Sequence, residues 1–306
     1  MKKSLFSIVG LGILLTGGLT WRQLQPVEAA EFTLRRAAPT FTTDPGALDL
    51  SIEALVPDSL PTSDEPAGGR GVIGPDNRTE VRMRAYPWTA VGRLDGVSQN
   101  GGNYHCTATL ISADLILTNA HCVVDPNTSQ SAAQLVFSPN VIDGTVSSPL
   151  DRALVIDGMV GTDFQERSAP PHEDDWAILK LSKPLGEQFG TIPLKAVDTE
   201  TLTQGAYRDE LIMVGYSGDS PAVRPGQTAA AHVGCSITAE AQDVIYHVCD
   251  TYGGSSGGPL LARDDDGYSI VGLNAAARTD RQERGIVNYG VKISRIFDRL
   301  NQLASR

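Results

Sequence analysis

From Val72 to Val291 the chain is written in short apolar runs separated by turn residues, and that rhythm limits what it can fold into. Runs stand at Trp88 to Leu94, Thr107 to Ile111, Leu115 to Thr118, Ala153 to Ile156, Trp176 to Leu181, Leu211 to Gly215, Ser269 to Leu273 and Ile286 to Val291. Each is short enough for a strand, and the pattern predicts an all-β body, a barrel or a sandwich. The end departs from it. Ile293, Ile296, Phe297, Leu300 and Leu303 recur at three- and four-residue steps, which predicts a terminal amphipathic α-helix docked on the β body. There is no internal repeat and no heptad pattern.

The first seventy residues read differently. Lys2 and Lys3 precede an apolar run from Leu5 to Leu19, and Val27-Glu28-Ala29-Ala30 offers small residues for cleavage, the pattern of an export signal over residues 1–29. A membrane anchor is the rival. Gly10, Gly12, Gly17 and Gly18 interrupt the run, and it is shorter than the roughly 20 apolar residues that a span prefers. Residues 30–71 shift to Pro, Thr, Ser, Asp and Glu with little apolar periodicity, which predicts a linker or a removable pro-segment without a core of its own. The body is then 72–306.

A net charge of −11 leaves no basic surface to follow a phosphate backbone, so nucleic acid is excluded as a partner. Four cysteines fit an exported chain, where disulfides persist. Of the three possible connectivities the simplest is local, Cys106 with Cys122 and Cys235 with Cys249. No Cys-x-x-Cys or Cys-x-His spacing points to zinc, and no phosphate loop or cofactor fingerprint occurs, so neither metal nor cofactor is expected. The acidic run Asp264-Asp-Asp266 reads as a solvated turn rather than a calcium loop.

A serine hydroxyl becomes a nucleophile when an imidazole takes its proton, and the imidazole needs a carboxylate to fix its tautomer. The chain offers Thr118-Asn-Ala-His121-Cys122, then Asp175-Trp-Ala-Ile-Leu-Lys-Leu181, then Gly253-Gly-Ser-Ser256-Gly-Gly-Pro259. Glycines around Ser256 let backbone approach closely, and the amides of Gly254 and Ser256 are the candidate oxyanion donors. Taken alone, that segment is also what a surface turn looks like. Gly254-Ser-Ser256-Gly-Gly258 satisfies the G-x-S-x-G elbow of α/β hydrolases as well, but that fold needs its histidine after the serine. All five histidines precede Ser256, and the strand–helix alternation of a parallel sheet is missing.

In this order the three blocks TNAHC, DWAILKL and GGSSGGP resemble the signatures of chymotrypsin-like serine proteases, over about Val72 to Ser305. The resemblance implies two antiparallel six-stranded β-barrels with a C-terminal α-helix, and Cys106–Cys122 bridging the histidine loop. It implies catalytic roles for His121 as base, Asp175 as its orienter and Ser256 as nucleophile, with Gly254 and Ser256 forming the oxyanion hole. Asp175, rather than the adjacent Asp174, has the family's spacing to the apolar strand that follows, and His172 reads as a loop residue.

Val72-Ile-Gly-Pro-Asp-Asn-Arg-Thr-Glu-Val81, Gly215-Tyr-Ser-Gly-Asp219 and Cys249-Asp-Thr-Tyr-Gly-Gly254 are similar to the glutamyl endopeptidase, or V8-like, branch, which implies processing near Arg70 to Val72. Ser255 stands where trypsin-like members place the aspartate that receives the new amine, so their activation switch is not implied. Asp250 lies six residues before Ser256, where trypsin-like enzymes keep the carboxylate that pairs with Lys or Arg. Asn274 stands where the glutamate-specific branch has a histidine. Together they point to cleavage after residues other than Glu, with Lys or Arg first. The expectation is thus a secreted, monomeric serine endopeptidase acting on proteins or peptides, with no membrane anchor after signal cleavage. The competing class is a catalytically inactive binding module on the same fold, and a small-ester hydrolase is a third reading.

Overall fold

The computed structural model describes residues 39–43, 71–165, 170–205, 207–219 and 225–304. The expected export signal, most of the expected linker or pro-segment and the Arg70 side of the expected processing boundary lie outside the described residues.

Strands β1 (Thr40–Thr42) and β2 (Arg78–Glu80) precede a first group, β3 (Val91–Val97), β4 (Asn103–Leu110), β5 (Leu115–Thr118), β6 (Gln134–Pro139), β7 (Ala153–Val160) and β8 (Ala177–Leu181). These six lie in the order β7-β6-β3-β4-β5-β8, and β7 also pairs with β8, which closes them into a barrel. The second group is β9 (Leu211–Gly215), β10 (Ala230–Cys235), β11 (Ile237–Ala241), β12 (Val244–His247), β13 (Pro259–Asp264), β14 (Gly267–Thr279) and β15 (Gly285–Lys292). With β2 it forms an eight-stranded sheet in the order β11-β12-β15-β14-β13-β9-β10-β2. The helices are short, α1 (Leu185–Phe189) and α2 (Thr199–Thr203), apart from the C-terminal α3 (Ile293–Ala304).

The sequence runs explain this. Side chains alternate across a strand, so the inward members of each run meet in the barrel interior. Leu94, Leu110, Leu135 and Phe137 are sealed from solvent, as are the adjacent pairs Ile116–Leu117 and Ile178–Leu179, whose strands are covered on both faces. Each contributes about 1.5–3 kcal/mol by leaving water. On α3 the expected stripe faces the core from Ile293 to Leu300. Ile293 and Ile296 are fully covered, and Phe297 and Leu300 pack against the same core.

Trp88–Ala90, read as the start of a strand, is instead a single 3-10 turn before β3. The strands β6, β10, β11, β12 and β13 have no counterpart among the predicted runs. The stretch expected to be a linker or pro-segment is not wholly without structure either. Thr40–Thr42 pairs in parallel with Asp157–Met159 on β7, and Phe41 packs against the barrel core.

Both disulfides are local: Cys106–Cys122 joins β4 to the turn after β5, and Cys235–Cys249 joins β10 to the segment after β12. In the chain-entropy picture a closed loop of this length stabilises by about 3 kcal/mol.

Candidate active site

The pairing of β5 with β8 places Thr118 opposite Ala177, so the residues just beyond each strand end emerge side by side. Beyond β5, Asn119 is extended and Ala120–Cys122 makes one tight turn that carries His121. Just before β8 stands Asp175. Its side chain is fully buried, with Oδ2 2.7 Å from His121 Nδ1 and Oδ1 accepting the His121 backbone N–H at 2.9 Å. A carboxylate can only accept, so Nδ1 carries the proton and Nε2 is left basic. Burial alone would lower the pKa of His121, but the charge and hydrogen bond of Asp175 outweigh it and hold it above the ordinary value. The Asn119 amide donates to the Asp175 carbonyl at 2.7 Å and fixes the same turn.

Asp174 faces away from this pair. Its carboxylate accepts Nε and Nη2 of Arg295 on α3, each at 2.8 Å. His172 Nδ1 accepts the Asp174 backbone N–H at 2.9 Å, which makes it a member of the turn.

The loop Gly253–Gly258 connects β12 to β13, and its carbonyls are held from outside. The Gly253 carbonyl accepts from Gly218 N–H at 2.7 Å, that of Gly254 from Thr107 Oγ1 at 3.0 Å, and that of Ser256 from Thr107 N–H at 2.8 Å. Thr107 Oγ1 in turn accepts Tyr216 N–H at 2.9 Å, so a buried threonine of β4 braces both sides of Ser256. Gly254 has φ +99° and Gly257 φ +79°, values that side chains rarely adopt. At Gly257 a Cβ would strike Thr118 Oγ1 and the Thr107 carbonyl, so the loop lies directly on the strands that lead to His121. Cys122 Sγ is 3.9 Å from the Ser256 carbonyl oxygen. Among the described residues the amides of Gly254 and Ser256 find no protein acceptor, whereas those of Ser255, Gly257 and Gly258 do. Ser256 Oγ, half-buried, makes only a long contact of 3.4 Å to the Ala275 carbonyl.

Beside Ser256 opens a cavity of about 360 Å³, walled by Thr251, Tyr252, Gly253, Asn274, Ala275 and Thr279 among others. Among the described residues no Asp, Glu, Lys, Arg or His side chain lines it. Asn274 turns its amide nitrogen to the Ser255 carbonyl at 3.1 Å and to Thr251 Oγ1 at 3.2 Å, while Ser255 Oγ is bound by Thr251 and Tyr252. His247 lies fully buried next to Asn274, and burial pushes its pKa down to about 4, so it is neutral.

Asp250 corrects an expectation. Instead of facing this cavity, its carboxylate is sealed beneath it and accepts Ile73 N–H at 2.8 Å and Asn77 N–H at 2.9 Å, with His232 Nδ1 3.1 Å away. Only as part of a turn six residues before Ser256 does the position match the family marker; the start of the body occupies its hydrogen-bonding capacity. Its carboxylate is thus already engaged by backbone amides of the chain itself.

Two groups bring candidate metal ligands together among the described residues, Cys106 with His121 and Cys122, and His172 with Glu173 and Asp174. The sulfurs of the first are joined to each other, and the Asp174 of the second is held by Arg295. Asp264 of the acidic run is paired with Lys195 at 2.5 Å.

A family model described as a trypsin-like peptidase domain matches residues 106–273, more than half of the chain and including His121, Asp175 and Ser256. The chain belongs to the trypsin-like peptidase family. Two curated relatives of this trypsin-like peptidase are serine protease 23 of Mus musculus and of Rattus norvegicus, 27% and 26% identical over 178 residues. That stretch is 52% of this chain and 43% of each relative, so the match spans less than half of their length. Among solved structures, a Glu endopeptidase in complex with MPD is 25% identical, with a TM-score of 0.60 over 77% of this chain and all of that one. The protease Anisep from Arthrobacter nicotinovorans, 17% identical with a TM-score of 0.56, covers 75% of the chain and 100% of its own, and likewise shows the fold.

Sequence reading of this trypsin-like peptidase missed Thr107, Asn119 and Arg295. Asn119 sits inside the TNAHC block next to His121, and Thr107 opens a predicted apolar run, which was the available signal. Arg295 gave none, because its partner lies 121 residues away.

Proposed function

We propose that this chain is an exported serine endopeptidase. Ser256 Oγ attacks the scissile carbonyl carbon as His121 Nε2 takes the hydroxyl proton, and the negative charge on the carbonyl oxygen meets the Gly254 and Ser256 amides. The carbon–nitrogen bond then breaks. The leaving amine carries off the proton from His121, and the acyl group stays on Ser256. Water, deprotonated by the same imidazole, attacks the ester, and its proton returns to Ser256 as the acid product leaves. Asp175 holds the imidazole tautomer throughout.

The observation that carries this reading is the pairing of a buried carboxylate with His121 next to a glycine loop whose two amides are unspent. Support for export comes from the cysteines, paired as expected of an oxidising compartment, and from the signal pattern of residues 1–29. Among the described residues no helix is long and apolar enough to cross a membrane. Residues 30–71 act as the pro-segment, removed near Arg70 to Val72, and the substrate is a protein or peptide. Because no charged side chain among the described residues walls the cavity beside Ser256, the residue before the cut is uncharged.

Labelling with a fluorophosphonate probe tests the chemistry: the matured protein takes the label and the Ser256→Ala protein does not. An unlabelled matured protein that still binds peptides marks a binding module instead. Acyl-peptide anilides varied only in the last residue test the pocket, with uncharged residues cleaved fastest; fast turnover confined to Arg or Glu overturns that part.

A further inference from the structure

The two edges of β7 are held differently along Asp157–Met159. β8 pairs with β7 from Val155 to Val160, whereas β6 reaches only Ala153 and Leu154. The edge that β6 leaves would present unpaired backbone groups, a template for an added strand. Thr40–Thr42 fills it in parallel register, with Thr40 opposite Asp157, Phe41 opposite Gly158 and Thr42 opposite Met159. Through β7 the ladder continues into β8, where Met159 stands opposite Ile178, close in sequence to Asp175.

The seat is shaped for one aromatic ring. Gly158 has no side chain, and a Cβ built there would lie 3.1 Å from Phe41 Cδ1 and 2.6 Å from Leu179 Cδ2. The ring thus takes space that a larger residue at position 158 would claim. Phe41 is half-buried and packs against the barrel core, and its β-branched neighbours Thr40 and Thr42 suit an extended strand. Pro39, just before the strand, has no N–H to add to the ladder. One ring and three residues make a small contact. Between separate molecules it forms only at strand concentrations on the order of millimolar or above, whereas a covalent link makes docking unimolecular.

Resting on the proposed removal of residues 30–71, we propose that the β7 edge at Asp157–Met159 is a docking site for the chain's own Thr40–Thr42, held only while that strand stays joined to the body. A cut near Arg70 to Val72 turns an intramolecular contact into a bimolecular one, and at roughly micromolar protein the strand leaves. The matured protein then carries an open sheet edge with a notch at Gly158, which the same segment refills when supplied as a separate peptide.

The test uses the full chain as Ser256→Ala, with residues 58–64 replaced by the recognition sequence of a site-specific protease. Hydrogen exchange of segments 40–43 and 156–160 is read by mass spectrometry before the cut, and again after the cut and gel filtration. Before the cut both segments are protected. After it the released fragment elutes apart from the body, and 156–160 exchanges roughly ten-fold faster or more. Phe41→Ala gives that faster exchange in the uncut chain. A synthetic peptide of residues 36–46, at millimolar concentration, restores protection to the cut body, and its Phe41→Ala counterpart does not. Unprotected exchange of 40–43 in the uncut chain, or exchange of 156–160 that neither Phe41→Ala nor the cut changes, overturns the docking. A fragment that stays on the body through gel filtration overturns its dependence on the covalent link. Because the Ser256→Ala chain is cut by an added protease, failure here leaves the proposed chemistry and maturation standing, and their failure leaves this result standing.

Discussion

Arg295 lays two guanidinium nitrogens on the carboxylate of Asp174, each at 2.8 Å, and so ties α3 to the residue that precedes Asp175. Asp174 is nearly buried, and removing its partner leaves a charge with reduced solvation. Arg295→Gln is expected to lower stability by about 1–2 kcal/mol. It also loosens the turn and lowers kcat several-fold with little change in KM. Thermal melts of Arg295→Gln, Asp174→Asn and the double variant check this, because a real coupling makes the double variant less damaged than the two singles combined.

Thr107→Val removes the hydroxyl that holds the Gly254 carbonyl and leaves the Tyr216 amide without its acceptor. The expected result is a fall in kcat of roughly 10- to 100-fold at nearly constant KM, since loop position matters most when charge develops on the substrate oxygen. Thr107→Ser keeps the hydroxyl and recovers most of the loss. Affinity for a peptide boronic acid, measured beside that for an uncleavable substrate peptide, separates loop positioning from general damage: only the first falls steeply in Thr107→Val.

The raised pKa of His121 sets a pH profile. Catalysis needs the free base, so kcat/KM climbs with pH through an inflection above the ordinary 6.5 of histidine. In Asp175→Asn the inflection moves down and the plateau drops on the order of 10⁴-fold. The same shift bears on stability. His121 contributes most below about 6.5, where both states are protonated, and that contribution is lost as pH rises through the folded value. A plateau unchanged in Asp175→Asn sinks the proposed role of the carboxylate.

His247 acts in the opposite direction. Below 6.5 the unfolded chain binds a proton that the folded protein refuses until about pH 4, so stability falls as the solution is acidified through that window. At about 1.4 kcal/mol per pH unit the loss is about 3 kcal/mol. Urea denaturation at pH 7 and at pH 4.5 checks it, with His247→Gln showing a smaller drop than the native chain.

Asp250→Ala tests the corrected assignment. The loss of a buried acceptor for the Ile73 and Asn77 amides costs on the order of 2–3 kcal/mol. The ratio of kcat/KM between Arg and uncharged residues before the cut stays as it was. A selective loss of Arg cleavage would restore Asp250 to the pocket.

How much of this was legible beforehand depends on distance along the chain. The three motif blocks, the local disulfides and the stripe of α3 are short-range patterns, and all are found where the sequence put them. β10 and β11 were not anticipated because their apolar residues are interleaved with Gly, Thr and Glu, and β12 and β13 because their apolar runs are only three residues long; the second sheet supplies the order that the local sequence lacks. Asp250 was misjudged for a related reason. Its neighbours in sequence say that it stands near Ser256, but the groups that claim its carboxylate come from 177 and 173 residues earlier. The Phe41 strand, likewise, gains its order from the β7 edge rather than from its own composition.

The close packing around position 257 has a last consequence. A single added methyl group there would collide with Thr118 and Thr107, both from the closed barrel, although residue 257 belongs to the connection between two strands of the other sheet. The hexapeptide 253–258 is therefore shaped to one particular neighbour. Transplanted into another β scaffold, it would hold its conformation only if strands equivalent to those of residues 107 and 118 travelled with it.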